Sequence, residues 1–358
     1  MTINIIIEPE YKDTVWCKET FLGIKKQISS LRYEQKYYTE DTLSKGITTI
    51  IIVGTSPIWV SNILSKTESL NIYPIIVSCH PMETIENASY VLIDHNAATK
   101  KCINYLREYK HNNIALYGLN QNSYADNIKA GYFNASDIFI STSKNGLAKC
   151  FDEFFEKREK YNAVICSNYI TAIQLIDNLK KEHIQIPRNM YVMTYGDSLL
   201  GRYFQPSVTT VTLNHELLGI QAVNLFRFLE KNKNETSVTI YVPCEIIPAM
   251  STEFKPATKI LQTANTESEA DNLFYTDKDI VNIQSLEKLL RQCDETDIEI
   301  ISRLHNKMSY SKISEALFIS EGAIKYRIKK LLLCSNINSV EKMLSLYRHY
   351  MGGKAFTI

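Results

Sequence analysis

The 358-residue sequence has no Cys-x-x-Cys pair. Its eight cysteines (Cys17, Cys79, Cys102, Cys150, Cys166, Cys244, Cys293 and Cys334) are widely scattered, and no histidine stands at zinc spacing from a cysteine pair. This excludes zinc-ribbon and dithiol patterns and reads as free thiols in a reducing compartment. No apolar run reaches the roughly 20 residues of a membrane span. The opening Met-Thr-Ile-Asn-Ile-Ile-Ile-Glu-Pro has neither a basic leader nor the apolar length of a signal peptide. A soluble, cytoplasmic protein without membrane contact is expected. Enzyme signatures are missing too: no Gly-rich phosphate loop, no Gly-x-Ser-x-Gly elbow and no His-Glu-x-x-His occurs. The histidines are isolated, and His80, His95 and His111 read as loop or capping residues. A phospho-acceptor domain would need paired acids after the first strand, and Ile7-Glu-Pro-Glu is followed by nothing that completes such a site. No enzyme, metal or cofactor is expected. The net charge of +1 gives no general basicity, so any nucleic-acid affinity has to come from a local patch.

What the sequence does contain is alternation. Short apolar, β-branched strands are predicted near residues 3–7, 34–38, 48–53, 73–78, 90–93 and 114–117. Amphipathic helices lie between them, over 15–31, 58–70 and 97–109. A second block repeats the pattern, with strands near 138–141, 163–166 and 190–194 and helices over 146–159, 170–182 and 216–230, and a strand over 239–246 closes it. Continuous apolar strands alternating with amphipathic helices indicate an α/β fold with parallel sheets covered on both faces, and two blocks indicate two lobes. Ligands of such sheets bind outside the carboxyl ends of the strands, here in a cleft between lobes. Residues 1–252 are read as an effector-binding sensor, 253–293 as a linker with an amphipathic helix over 277–292, and 294–358 as a small all-α domain. The apolar face of the 277–292 helix has two open assignments, a second copy of the chain or its own domain.

Residues 309–332, Ser-Tyr-Ser-Lys-Ile-Ser-Glu-Ala-Leu-Phe-Ile-Ser-Glu-Gly-Ala-Ile-Lys-Tyr-Arg-Ile-Lys-Lys-Leu-Leu, predict two short helices joined by a tight turn. Ile313 and Leu317 give the first an apolar edge, and Phe318-Ile319 form the turn. Ser320 is placed to cap the second helix. Ile324, Ile328 and Leu331 recur at i, i+4, i+7 and bury one face, turning Lys325, Tyr326, Arg327, Lys329 and Lys330 outward. A capped helix with one apolar and one cationic face suits insertion into a DNA major groove. Thr296 and Glu299 are expected to form a capping box ahead of it, and Ser339 to cap the last helix.

Several fragments in order carry a family resemblance. They are Asn162-Ala-Val-Ile-Cys-Ser-Asn-Tyr-Ile-Thr-Ala, Ile186-Pro-Arg-Asn-Met-Tyr-Val-Met-Thr-Tyr-Gly-Asp, Gln205-Pro-Ser-Val-Thr-Thr-Val, Leu217-Leu-Gly and Val242-Pro-Cys-Glu-Ile-Ile-Pro-Ala-Met-Ser-Thr. With Phe21-Leu-Gly-Ile and Val91-Leu-Ile-Asp, they make residues 1–252 resemble the sensor of lac-repressor-type regulators, a type I periplasmic-binding-protein fold. Members of that family usually carry a helix-turn-helix ahead of the sensor. Here the first strand begins at Ile3, and the C-terminal segment resembles a LuxR-type module instead, whose last helix usually dimerises.

The resemblance implies a small-molecule effector in the cleft, double-stranded DNA as partner and a homodimer. Asn168 would hydrogen-bond the effector, or alternatively cap the helix that follows it. Asp197 matches the second acid of the family's Gly-Tyr-Asp-Asp. Trp16 aligns with an aromatic that stacks in the cleft, and a core role is equally open to it. Thr55 and Ser56 would present hydroxyls or cap the next helix, and Asp126 and Arg202 are cleft partners or surface residues. Three positions depart from the pattern: Gly196 replaces the first acid, Tyr169 the aspartate after the asparagine, and Ile128 an arginine. A simple hexose would then leave hydroxyls unpaired, at about 1–3 kcal/mol each. The segment 132–137 is also short for the family, which implies a missing outer helix. Candidate DNA contacts are Ser311, Lys312, Ser320, Glu321, Lys325, Tyr326, Arg327, Lys329 and Lys330. The combined expectation is an effector-responsive DNA-binding regulator. The alternative is a ligand-binding or interaction protein whose C-terminal helices dimerise or bind a partner protein.

Overall fold

A computed structural model of the protein describes residues 1–79, 87–120, 123–141, 146–232, 237–253 and 277–352. Residues 254–276 of the expected linker over 253–293, and His80, lie outside the described residues. The first lobe contains β1 (Thr2–Ile7), α1 (Val15–Leu31), β2 (Glu34–Tyr38), β3 (Thr49–Val53), α2 (Pro57–Leu70), β4 (Tyr73–Ser78), β5 (Ser89–Ile93) and α3 (His95–Glu108). The second contains β6 (Ile114–Asn120), α4 (Tyr124–Ala130), β7 (Ile138–Ser141), α5 (Gly146–Glu156), β8 (Ala163–Cys166), α6 (Tyr169–Lys181), β9 (Tyr191–Tyr195), α7 (Leu199–Tyr203) and β10 (Thr209–Val211). The chain then returns to the first lobe with α8 (His215–Lys231) and β11 (Thr239–Val242), and re-enters the second with β12 (Ile246–Ile247). Among the described residues that follow are the helices α9 (Lys278–Gln292), α10 (Glu295–His305), α11 (Tyr310–Leu317), α12 (Glu321–Ser335) and α13 (Val340–Met351).

The two sheets repeat one order, β2-β1-β3-β4-β5-β11 and β7-β6-β8-β9-β10-β12. Their pairings are parallel, except that β12 runs antiparallel to β10. This is the two-lobed type I periplasmic-binding-protein architecture, extended by a C-terminal helical region. β3, Thr-Ile-Ile-Ile-Val, is buried along its whole length between two parallel neighbours, so both of its faces had to be apolar. In each sheet the order reverses beside the first strand of the lobe, which opens a crevice at the carboxyl ends.

Some elements differ from the sequence reading. The single strand expected over 239–246 is two strands in different sheets, and residues 243–245 cross between the lobes. Among the described residues between β6 and β7 stand only the seven-residue α4 and a 3-10 turn over Ala135–Asp137, which is the shortened crossover that residues 132–137 implied. The capping box of α10 is formed by Asp294 and Asp297, not by Thr296 and Glu299: Asp294 accepts from the Asp297 amide at 2.9 Å. An aspartate caps as well as a threonine.

The helix expected over 277–292 is α9, and its apolar face is covered within the chain. Ile280, Ile283, Leu286, Leu289 and Leu290 are buried in one hydrophobic core with Ile173, Leu200 and Phe204 of the second lobe and Ile300, Ile313, Ile324 and Tyr347 of the last helices. α6 explains why a cover is needed. Nine of its residues are buried, on all sides of the helix, and an apolar surface all round requires packing all round. α13 contributes Met343, Leu346, Tyr347, Tyr350 and Met351 to the same core. The inward face of the last helix is therefore covered by its own chain.

Candidate effector cleft and nucleic-acid interface

The carboxyl edges of the two sheets are adjacent. Tyr195, at the end of β9, donates its hydroxyl proton to Thr99 Oγ1 on α3, the helix that follows β5, at 2.9 Å. On the first lobe, Glu8 follows β1 and is 1% exposed. Its carboxylate accepts from the amides of Thr55 and Ser56 at 2.8 and 3.1 Å. That acid satisfies the amides ahead of α2, whereas Ser56 occupies the cap position without a side-chain cap bond. Sequence reasoning missed Glu8, because only the pairing of β1 with β3 brings it to the start of α2. Trp16 is a core residue: it is 1% exposed, packs among Ile5, Ile24 and Val53, and cannot stack on a ligand in this arrangement. Its position on α1 is set by the same helical spacing as Thr20, Gly23 and Ile24, all of which face inward.

On the second lobe, Asn168 caps α6. Its side-chain oxygen accepts from the Thr171 amide at 3.1 Å, and the Thr171 hydroxyl accepts from the Asn168 amide in return. Its amide nitrogen donates to Ser167 Oγ at 3.3 Å. Asp197 is 2% exposed and makes a two-point ion pair with Arg202, with one bond at 3.0 Å. Arg202 is thus a partner of Asp197 rather than a surface residue, and burial lowers its pKa from the ordinary arginine value. Gly196, in place of the family's first acid, has φ 73°, a left-handed conformation that a glycine adopts without strain.

Asp126 is likewise not on the surface. It is 6% exposed and accepts from Lys129 Nζ at 2.6 Å and from the Asn120 amide at 2.9 Å. Lys129 is itself buried, donates to the Ser167 carbonyl at 3.0 Å and sits 4.3 Å from the Tyr195 ring centre. Ile128 is not basic, but the next residue places a cation at the carboxyl end of β8. The signal available in the sequence was the i, i+3 pair Asp126 and Lys129, which share a helix face.

The helix-turn-helix reading falls on α11 and α12. Ser309 and Ser320 cap them, accepting from the amides of Lys312 and Ala323 at 3.4 and 3.1 Å. Ser314 Oγ donates to the Ile319 carbonyl at 2.6 Å and fixes the turn. Phe318 adopts φ 54° there and is 94% exposed. Ile313, Ile324, Ile328 and Leu331 are buried. At about 100° per residue, Gly322, Tyr326, Lys329, Lys330 and Leu333 lie opposite that buried face, and all five are exposed. Lys325 lies on the flank, 3.6 Å from Glu321, and Ser311 and Lys312 are exposed in the first turn of α11. Arg327 does not join them. It donates to Asp297 at 2.7 Å and Asp294 at 2.9 Å, which ties α12 to the start of α10. Those two bonds hold its charge more firmly, and the Arg327 guanidinium is the main reason that the Asp294 carboxyl titrates below its usual range. Ser339 caps α13 as expected, accepting from the Lys342 amide at 3.1 Å.

Residues 103–252 match a family model described as a periplasmic binding protein-like domain. The HTH-type transcriptional repressor PurR of Histophilus somni is 27% identical over 118 residues, 32% of this chain and 33% of that protein. The match therefore spans about a third of the length of that relative. Among solved structures, the transcriptional regulator CelR in complex with cellobiose superposes with a TM-score of 0.56 at 16% identity, covering 70% of this chain and 84% of that one. The transcription regulator CcpA of Lactococcus lactis gives 0.54 at 17% identity, covering 71% and 100%. These likenesses establish the two-lobed fold.

Proposed function

We propose that the chain is an effector-responsive DNA-binding transcriptional regulator and not an enzyme, with residues 1–252 as sensor and residues 294–358 as a LuxR-type DNA reader. The observation that carries this reading is the exposed face of α12. Tyr326, Lys329 and Lys330 project from a serine-capped helix that follows a tight turn, and the helix is seated on a two-lobed ligand-binding fold. The relatives named above are transcriptional regulators, which supports the same class. Lys325, one turn from the capped N-terminus, would reach base edges, whereas Lys329 and Lys330 would meet phosphate. Tyr326 has the amphipathic surface for a base or sugar contact.

The proposed effector is a small polar molecule, carbohydrate-related in class, held between the carboxyl edges near Asn168, Thr55 and the Asp197–Arg202 pair. Because Asp197 and Arg202 already satisfy each other, a sugar would have to exchange for that pair rather than fill vacant acceptors. A homodimer acting in the cytoplasm is proposed, with its two readers on successive major grooves. Among the described residues no helix is long and apolar enough to cross a membrane.

A second reading has a specific observation in its favour. Phe318 and Leu333 are 94% and 70% exposed on the same module, which suits a protein partner. Salt separates the two. Binding of the full chain to duplex DNA should weaken steeply between 50 and about 200 mM salt, whereas an apolar protein contact should not. No affinity for any genomic fragment at low salt, with or without candidate effectors, would exclude the DNA reading. A thermal-shift screen of sugars, sugar phosphates and nucleosides on the full chain addresses the effector.

A further inference from the structure

α9 touches both lobes. On the second lobe, Glu287 is almost fully buried, and its carboxylate accepts from the Leu200 amide at 2.7 Å and the Leu199 amide at 3.3 Å. One helical turn later, Arg291 Nε donates to the same carboxylate at 2.9 Å. The other end of that guanidinium lies 3.8 Å from Glu19 on α1 of the first lobe. Glu19 in turn stands 3.7 Å from Nδ1 of His215, the first residue of α8. Glu287, Arg291 and Glu19 are all at most about a quarter exposed, so solvent screens the chain of charges only partly. α9 also packs against α12.

We propose that α9 is a strap between the lobes, fixed to the second by Glu287 and its apolar face and to the first by the Arg291–Glu19 pair, so that a change in lobe arrangement is passed to α12. Glu19 and Arg291 act as positioning residues: neither touches DNA, and each sets where α9 lies. A hinge motion that carries α1 away from β9 and α7 must either break the pair or pull α9 with it. Because α9 and α12 share one core, the second outcome moves the outer face of α12. A ligand that prefers one lobe arrangement would then bias the reader through this pair, which is all that linkage requires. The output of the strap rests on the DNA-binding reading, whereas the strap itself does not.

The test uses the full chain with the exposed Cys334 replaced by serine. Spin labels are placed at Ser61→Cys on α2 and Ser345→Cys on α13, both exposed positions, and the distance distribution between them is measured without ligand. Glu19→Gln and Arg291→Gln should each shift or broaden it. The double variant should go no further than Arg291→Gln alone, and Arg291→Lys should stay near the parent. An unchanged distribution in Glu19→Gln, or additive effects in the double variant, overturns the strap. With DNA, Glu19→Gln should change Kd by about fivefold or more, the lower end of coupling between linked sites. If the parent chain binds no DNA at all, the regulatory reading fails and the distance measurement still decides the strap.

Discussion

Gly23 and Gly219 lie at one crossing, each pressed against the backbone of the opposite helix. A Cβ at Gly23 would stand 1.9 Å from the Glu216 carbonyl oxygen, and one at Gly219 would stand 1.8 Å from that of Thr20. The helices run alongside each other from there, joined by Gln27 to Asn224 and Lys26 to Glu216, both at 2.7 Å. These are the glycines of Phe21-Leu-Gly-Ile and Leu217-Leu-Gly, two fragments that carried the family resemblance.

Gly219→Ala should therefore destabilise the first lobe by about 2 kcal/mol or more, the cost of overpacking against an unyielding neighbour. A denaturant titration reads it as a lower midpoint. A midpoint equal to the parent's would mean that α1 and α8 separate without loss.

Removing residues 277–358 should not leave a cooperative sensor. The sequence divides into a sensor, a linker and a small all-α domain, yet Leu200, Phe204 and Ile173 of the sensor share their core with α9 and α13. The truncated chain is expected to melt broadly and to bind an apolar dye, since it would expose a contiguous apolar surface. A sharp melt at the parent's temperature would restore the two-module picture.

Asn168 offers a way to separate capping from ligand binding, because its oxygen caps and its nitrogen points to Ser167. Asn168→Ala should cost about 1 kcal/mol of stability through the lost cap, and Asn168→Asp almost none. Effector affinity, once a ligand is found by thermal shift, should fall in both. Equal affinity in the aspartate variant would leave Asn168 a cap only.

Arg327 predicts a pH signature. The Asp294 carboxyl is held below its usual range first by the Arg327 hydrogen bond and then by the Asp297 amide. A depressed folded-state pKa adds stability that is complete above the unfolded carboxylate value, about 3.9, and is lost as pH falls through the depressed one. The contribution is small, because the Asp294 side chain is more than half exposed. Arg327→Ala should lower the melting temperature at neutral pH and by less in acid. Its DNA salt slope should match the parent's, and a reduced slope would return Arg327 to the phosphate contacts.

Lys329→Ala and Lys330→Ala should each reduce the salt slope of DNA binding by about one unit and weaken all sequences alike. Both side chains are exposed, with no ion-pair partner among the described residues. Slopes unchanged in both variants would move the interface off this face of α12.

The sequence by itself determined the lobes and the helix α12, because periodicity is a local property. The helix over Val15–Leu31, the strands Glu34–Tyr38, Tyr73–Ser78, Ile138–Ser141 and Ala163–Cys166, and the caps Ser320 and Ser339 follow from neighbours in the chain. Even the cover on the second lobe left a trace, since Tyr-Ile-Thr-Ala-Ile-Gln-Leu-Ile in α6 is apolar on too many sides for a surface helix.

Tertiary structure alone decided what each polar residue does. Arg327 reads as an outward cation until α10 places Asp294 and Asp297 beside it, 33 and 30 residues away. Trp16 is a core residue, Asp126 and Lys129 form a buried pair, and Asp197 is taken by Arg202. Glu287 meets the amides of Leu199 and Leu200 across 88 and 87 residues of chain. The role of a charge depends on whether burial supplies it with a partner, and such partners are brought together only by the fold.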